Sequence, residues 1–189
     1  MGYSRKSLAK AIMQLRENGV DGVVIGSTVY MIRLGFHELE DDIDLFTTSI
    51  VPSFDEDVVL NAAETLGCFL GQNEWGGPQL RCPIDGEEIT VELHENIYDF
   101  YVPQKILDDA ETLSVAGVSM RMIHIEDYLT LKAKAGRDQD LEDLRYLSDL
   151  IKNGRLKVRK ELLRQRLSLF DEYESKLIIK RLKDSGILI

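Results

Sequence analysis

An α+β fold of the α/β type is what this sequence predicts, with an α/β first half and an all-helical C-terminal portion. Three observations carry the prediction. Short apolar runs and period-2 segments alternate with helical patterns as far as residue 123. From His124 onward the whole chain reads as helix. The length, 189 residues, suits one domain or one domain with a small appendage. The expected division is an α/β core over residues 1–123 and a C-terminal helical region, 124–189, packed on it.

The elements follow in order. Leu8, Ala11, Ile12 and Leu15 recur at helical spacing, with Gly19 just past the last turn. Val20–Ile25 is a nearly continuous apolar run, the pattern of a buried strand, and it ends in Gly26-Ser27. Thr28–Leu34 reads as a helix stopped near Gly35. Asp42–Phe46 alternates acidic and apolar residues and reads as a strand. Ser53 and Glu56 form a capping-box signature before Val58, Val59, Ala62, Ala63 and Leu66, and Gly67 marks the stop. Glycine and polar residues over Gly71–Gly77 suggest a loop. Leu80–Pro83 and Ile89–His94 read as a hairpin turned through Asp85-Gly86. A second hairpin pairs Thr112–Val115 with Val118–Met122 around Ala116-Gly117. Beyond His124, Leu141, Leu144, Leu147 and Ile151 mark one apolar helix face, and two amphipathic segments follow Gly154.

Composition narrows the function classes. Hydrophobic residues at 44% and charged residues at 30% exclude a disordered or fibrous chain. The longest apolar runs are far too short to span a bilayer, and no signal-peptide pattern opens the chain, which argues against membrane insertion and secretion. Cys68 and Cys82 are neither closely spaced nor joined by other thiols. Neither a disulfide framework nor a cysteine zinc site is expected, and a reducing cytoplasm is the default location. The net charge of −10 argues against an indiscriminate nucleic-acid binder. That charge is unevenly spread: residues 1–150 carry 28 acidic and 12 basic residues, and residues 151–189 carry 5 and 11. The basic segment Lys152–Arg166 reads either as a solvated helix face or as a phosphate- or partner-facing lip.

Three features carry candidate chemistry. Gly26-Ser27 breaks a strand into a helix start, where glycine permits close backbone approach and free N–H groups favour an anion. Asp42 and Asp44, two apart on a strand, project from one face while Ile43 and Leu45 enter the core. Such a pair is either an exposed acidic face, since Glu38, Glu40 and Asp41 precede it, or a set of hard oxygen ligands suited to Mg²⁺. Glu92 shares a strand face with Thr90 and His94 and is either solvent-facing or a third member of the acidic cluster. His94 fits a supporting or surface role better than a ligand's, and Glu87, Glu88 and Glu95 fit a surface role.

The order Gly-Ser, helix, Asp-x-Asp and a later strand carboxylate resembles the nucleotidyltransferase superfamily related to DNA polymerase β. Residues 125–132 (Ile-Glu-Asp-Tyr-Leu-Thr-Leu-Lys) and 137–144 (Arg-Asp-Gln-Asp-Leu-Glu-Asp-Leu) are similar to the helical signature of its small prokaryotic members. Those include the minimal nucleotidyltransferases and the AbiEii-type toxins. The resemblance covers roughly residues 8–150 and implies a nucleotidyltransferase-like mixed β-sheet flanked by helices. It further implies that Asp42, Asp44 and Glu92 hold two Mg²⁺ ions around a nucleoside triphosphate, whose phosphates Gly26 and Ser27 cradle. Glu92 serves the acceptor side, the acceptor being a hydroxyl of a protein, an RNA or a small molecule. Lys132 reaches the triphosphate as a point charge or snorkels to solvent, and Arg137 pairs with Asp140 along a helix. Where many small members carry Arg-x-Thr-x before the acidic pair, this chain has Glu38-Leu39-Glu40-Asp41. That difference favours the alternative of a binding or regulatory module on the same fold, such as half of a toxin–antitoxin pair; a third reading is a structural α/β protein with an acidic surface.

Overall fold

The computed structural model describes residues 2–96 and 100–188. The chain divides into two compact units, Met1–Tyr101 with Ala110–Met122, and Val102–Asp109 with Ile123–Ile189. The fold is α+β with a mixed sheet.

The first unit contains strands β1 (Tyr3–Ser4), β2 (Gly22–Val24), β3 (Glu38–Leu39), β4 (Ile43–Thr47), β5 (Phe69–Gln72), β6 (Pro78–Ile84), β7 (Glu87–His94), β8 (Glu111–Val115) and β9 (Val118–Met122). Its helices are α1 (Arg5–Glu17), α2 (Thr28–Leu34) and α3 (Glu56–Leu66). Seven strands form one sheet in the order β5-β6-β7-β4-β2-β9-β8, and β1 pairs with β3 separately. The β4–β7 and β2–β9 pairs are parallel and the other pairs in this sheet antiparallel.

Local chemistry explains most of these elements. Ser4 caps α1 by accepting from the Ser7 N–H, and Leu8, Ala11, Ile12 and Leu15 are all buried, as their spacing predicts. Both hairpins turn through residues with positive φ, Asp85-Gly86 and Ala116-Gly117, the two-residue geometry whose twist matches the flanking strands. On β7, Ile89, Val91 and Leu93 are buried while Thr90, Glu92 and His94 stay half-buried, so the period-2 reading holds.

Several expectations need correction. Helix α3 begins at Glu56 with Asp55 preceding it and no capping side chain. Asp55 instead accepts from the Val51 N–H at 2.7 Å, and the Ser53 N–H donates to Glu95 at 3.2 Å. The Ser53 hydroxyl has no hydrogen-bond partner among the described residues, and with its N–H given to Glu95 the capping box does not form. Gly71 and Gln72 belong to strand β5, leaving only 73–77 as turn. This strand's backbone pairs with β6 but Phe69 is 61% exposed, so no buried face marked it in the sequence. The two-residue strands β1 and β3 and the helix α4 (Gln104–Asp108) were too short to show a period.

The cysteine reading is also overturned. Cys68 and Cys82 are joined by a disulfide. Phe69 pairs with Arg81 in the β5–β6 ladder, so the next antiparallel step brings Cys68 opposite Cys82. Fourteen residues of separation along the chain concealed that cross-strand adjacency.

The second unit gathers α4, α5 (Ile125–Ala135), α6 (Asp138–Lys152), α7 (Lys160–Leu167) and α8 (Glu172–Asp184). Helix α5 is its centre and touches α6, α7 and α8. Leu144, Leu147 and Leu150 are the buried leucines of α6, whereas the expected Leu141 and Ile151 are half-buried. Charged pairs run through the packing. Arg166, 3% exposed, donates to Asp127 at 2.5 Å and Asp109 at 2.7 Å. Arg159 donates to Glu126 from its backbone at 2.6 Å and its guanidinium at 3.0 Å. Arg159 and Arg166 of the basic segment are thus engaged within this unit, Lys152 and Arg164 pair with Asp149 and Glu161, and Arg155, Lys157 and Lys160 are exposed. Among the described residues, no helix is long and apolar enough to cross a membrane.

Candidate active site

The parallel pairing of β4 with β7 sets the site. Its register places Asp44 directly beside Glu92, and both side chains leave the buried face of the sheet. His94 lies two residues beyond Glu92 on the same face of β7. Its Nε2 is 2.8 Å from Asp44 Oδ1 and 3.9 Å from Glu92 Oε2. Asp44, Glu92 and His94 each offer a ligand atom within 4.8 Å of the others, and they are the one such trio among the described residues. Two carboxylates held this close repel unless a cation or a proton donor sits between them. Hard oxygen donors with one imidazole nitrogen fit a divalent cation.

The turn after β2 closes against this group. The Ile25 N–H donates to the Asp44 carbonyl at 3.0 Å. A Cβ on Gly26 would lie 1.6 Å from Asp44 Oδ2, so only glycine leaves room for the carboxylate there. Ser27 is 8% exposed, and its Oγ has no hydrogen-bond partner among the described residues. A buried hydroxyl without a partner is costly unless a ligand supplies one.

Asp42 takes a different place. It precedes β4 and lines a neighbouring cleft of about 220 Å³ with Tyr3, Asp41, Glu88 and Thr90, and it is not in the 4.8 Å group. The sequence grouped Asp42, Asp44 and Glu92; the structure brings together Asp44, Glu92 and His94. The missing signal was available, because His94 shares the strand face of Glu92. Lys132 lies in the second unit, where its ammonium donates to Asp140 at 2.9 Å and Asp143 at 2.8 Å. Arg137 pairs with Asp140 at 2.9 Å, as the helical spacing predicts.

Electrostatics at the site follow from this crowding. Burial pushes the Glu92 carboxyl above its ordinary range, and the negative charges of Asp44 and Asp42 add to that. A hydrogen bond from Gln79 and the charge of His94 act in the other direction. For His94, burial opposes protonation, but the hydrogen bond to Asp44 and the charges of Asp44 and Glu92 prevail and raise its pKa. Tyr3 is 2% exposed with its hydroxyl 3.4 Å from Thr28 Oγ1. Burial, reinforced by Asp44, Asp41 and Asp42 against that hydrogen bond, holds the phenol protonated well above the usual range. Burial likewise works against the Lys132 charge, but its bonds to Asp143 and Asp140 keep its pKa raised.

Asn73 and Gln79 were not singled out in the sequence. The Asn73 amide donates to Glu92 Oε2 at 3.3 Å and that of Gln79 to Glu92 Oε1 at 2.9 Å. Only the β6–β7 register, which pairs Gln79 with Glu92, could have pointed to Gln79.

Comparison with known proteins extends this picture. No curated protein matches the chain in sequence. Among solved structures, an antigenic nucleotidyltransferase-like protein from Paracoccidioides brasiliensis has a similar fold. The TM-score is 0.61 at 15% identity, over 97% of this chain and 89% of that one. A putative nucleotidyltransferase from H. pylori gives a TM-score of 0.42 at 14% identity, covering 97% and 96%. ANT(2")-Ia in complex with adenylyl-2"-tobramycin gives 0.41 at 17%, covering 94% and 98%. A family model, nucleotidyl transferase of unknown function (DUF2204), matches residues 4–184. With that match spanning both units, and with Gly26, Asp44 and Glu92 meeting at one end of a mixed sheet, the chain belongs to this nucleotidyl transferase family.

Proposed function

We propose that this enzyme moves a nucleoside monophosphate from a nucleoside triphosphate to a hydroxyl acceptor, with Mg²⁺ as its cofactor. The observation that carries this reading is the Asp44–Glu92 pair, set side by side on parallel strands next to a turn where only glycine fits. Asp44 and Glu92 would hold the cation, and Asp42, just before β4 and lining the adjoining cleft, would serve a second one. A pair of bound cations supplies charge stabilisation to both the attacking and the leaving oxygens.

The chain's own residues would do the rest. Gly26 and Ser27 would receive the triphosphate, the buried Ser27 hydroxyl donating to a phosphate oxygen. The acceptor hydroxyl oxygen would form a bond to the α-phosphorus, its proton passing to Glu92, while the bond to pyrophosphate breaks and pyrophosphate leaves. A carboxyl whose pKa lies above the ordinary range is the better general base. His94, hydrogen-bonded to Asp44, would orient that carboxylate. Lys132 enters as a phosphate contact only if it exchanges Asp140 and Asp143 for the nucleotide, which its substitution tests.

Incubation with labelled ATP, CTP, GTP and UTP in Mg²⁺ tests the reading. Transfer is expected to disappear in Asp44→Asn and in Glu92→Gln. Transfer that survives Asp42→Asn combined with Asp44→Asn would sink the mechanism. The regulatory alternative draws support from the acidic cleft of Asp41, Asp42 and Glu88. Calorimetry separates the two, since tight Mg²⁺-dependent nucleotide binding with turnover excludes a purely regulatory role.

A further inference from the structure

We propose that Asn73 and Gln79 are positioning residues that fix the Glu92 carboxylate for its work at the site. This rests on the function proposed above, in which Glu92 serves as ligand and proton acceptor.

The two amides hold opposite ends of one carboxylate, Gln79 Nε2 on Oε1 and Asn73 Nδ2 on Oε2. An ionised carboxylate only accepts hydrogen bonds, and each of its oxygens has more than one acceptor direction. One amide N–H on each oxygen fixes the plane of the group and leaves the remaining lone pairs free. Oε2 is the oxygen nearer His94, at 3.9 Å.

The Asn73 amide can face only one way. Its Oδ1 accepts from the backbone N–H groups of Trp75 at 3.0 Å and Gly77 at 2.8 Å, so the nitrogen must be the atom turned to Glu92. The main chain of Asn73 is tied as well, its N–H to the Gly77 carbonyl and its carbonyl to the Gly76 N–H. The residue is 9% exposed, and its side chain cannot swing into solvent without breaking the turn. Gln79 sits near the start of β6, paired with Glu92 on one side and Gly71 on the other, and the Cys68–Cys82 disulfide closes the far end of the same hairpin. A hairpin held at both ends thus carries two donors aimed at one carboxylate. Groups that orient a ligand in this way tune its affinity for a cation.

Two variants remove the amide donors. Asn73→Ser keeps a hydroxyl oxygen that can accept from the turn N–H groups without adding a charge, and Gln79→Met keeps the length of the side chain. With Mn²⁺ as the probe, free-ion electron paramagnetic resonance reads the dissociation constant. Each variant is expected to bind Mn²⁺ about 10–100-fold more weakly than wild type. Wild-type affinity in both variants overturns the proposal.

A second readout involves no ion. In nitrogen–proton correlation spectra, the side-chain amide signals of Asn73 and Gln79 are expected to shift to unbonded positions in Glu92→Ala. Amide signals indifferent to Glu92→Ala overturn the positioning role, whatever the variants do to Mn²⁺ binding. If wild type binds no Mn²⁺ while the amide signals respond, the positioning holds and the metal-dependent function falls.

Discussion

Gly26→Ala is the sharpest test of how this site is built. The backbone at Gly26 is compatible with alanine, since its φ is not among the positive ones. The whole effect must therefore come from the new Cβ, which would meet Asp44 Oδ2 at 1.6 Å, its Cγ at 2.5 Å and its Cβ at 2.8 Å. Three atoms of one side chain obstruct the methyl, so rotating the carboxylate alone does not clear it. Asp44 has to swing away and the β4 backbone carrying its Cβ has to shift, so its 2.8 Å bond to His94 breaks. Overpacking of this kind costs about 1–3 kcal/mol. For a chain of this length, each kcal/mol moves the melting temperature by roughly 2–4 °C. Gly35→Ala is the matched control. It places alanine at φ +82° with nothing within 4 Å, a backbone cost of about 1–2 kcal/mol far from any clash. Thermal melts by circular dichroism should show losses of similar size in both variants. Mn²⁺ titration and nucleotidyl transfer should then separate them, Gly26→Ala losing both and Gly35→Ala retaining both. Wild-type transfer by a folded Gly26→Ala protein would refute the argument that Asp44 must lie against that turn.

Other outcomes follow from the same geometry. Lys132→Met leaves Asp140, whose side chain is fully buried, with Arg137 as its one ion partner among the described residues. The expected loss in urea unfolding is about 1–3 kcal/mol; unchanged stability with weakened nucleotide binding would instead put Lys132 at the triphosphate. Reduction of Cys68–Cys82 opens a link across fourteen residues, and melts with and without dithiothreitol should differ by about 3 kcal/mol. Identical melts would show that the link adds no stability. The second unit should loosen in acid. Burial works against the charges of Glu126 and Asp140, but Arg159, and Arg137 with Lys132, hold their pKa values below the ordinary 4.5 and 3.8. Their contribution is complete above those values and is lost as the pH falls through the lower folded ones. Stability that stays flat from pH 5 to pH 2 would contradict these ion pairs. Arg166→Met leaves Asp127 buried without its guanidinium, at a cost of about 3–5 kcal/mol, and soluble expression with a wild-type melt would refute that role.

What was legible in the sequence was local. The apolar face of α1 follows from a helical period, and the two hairpins from turn dipeptides that adopt positive φ. The outward set Thr90, Glu92 and His94 follows from the two-residue repeat of a strand. Each of these depends on residues a few positions apart, and local propensity and burial agree on them. The Gly-Ser and Asp-x-Asp order likewise reports a strand ending beside another strand. Tertiary structure alone decided which carboxylates meet. Asp44 and Glu92 are neighbours because β4 and β7 pair in one particular register across a sequence separation of 48, and that register is set by the packing of Ile43, Leu45, Val91 and Leu93 in the core. The same packing brings His94 to Asp44 and leaves Asp42 in the neighbouring cleft. It joins Cys68 to Cys82 and turns two amides onto Glu92. No repeat or propensity within a short window encodes such pairings, because the free energy that selects them comes from burying apolar side chains distant in sequence.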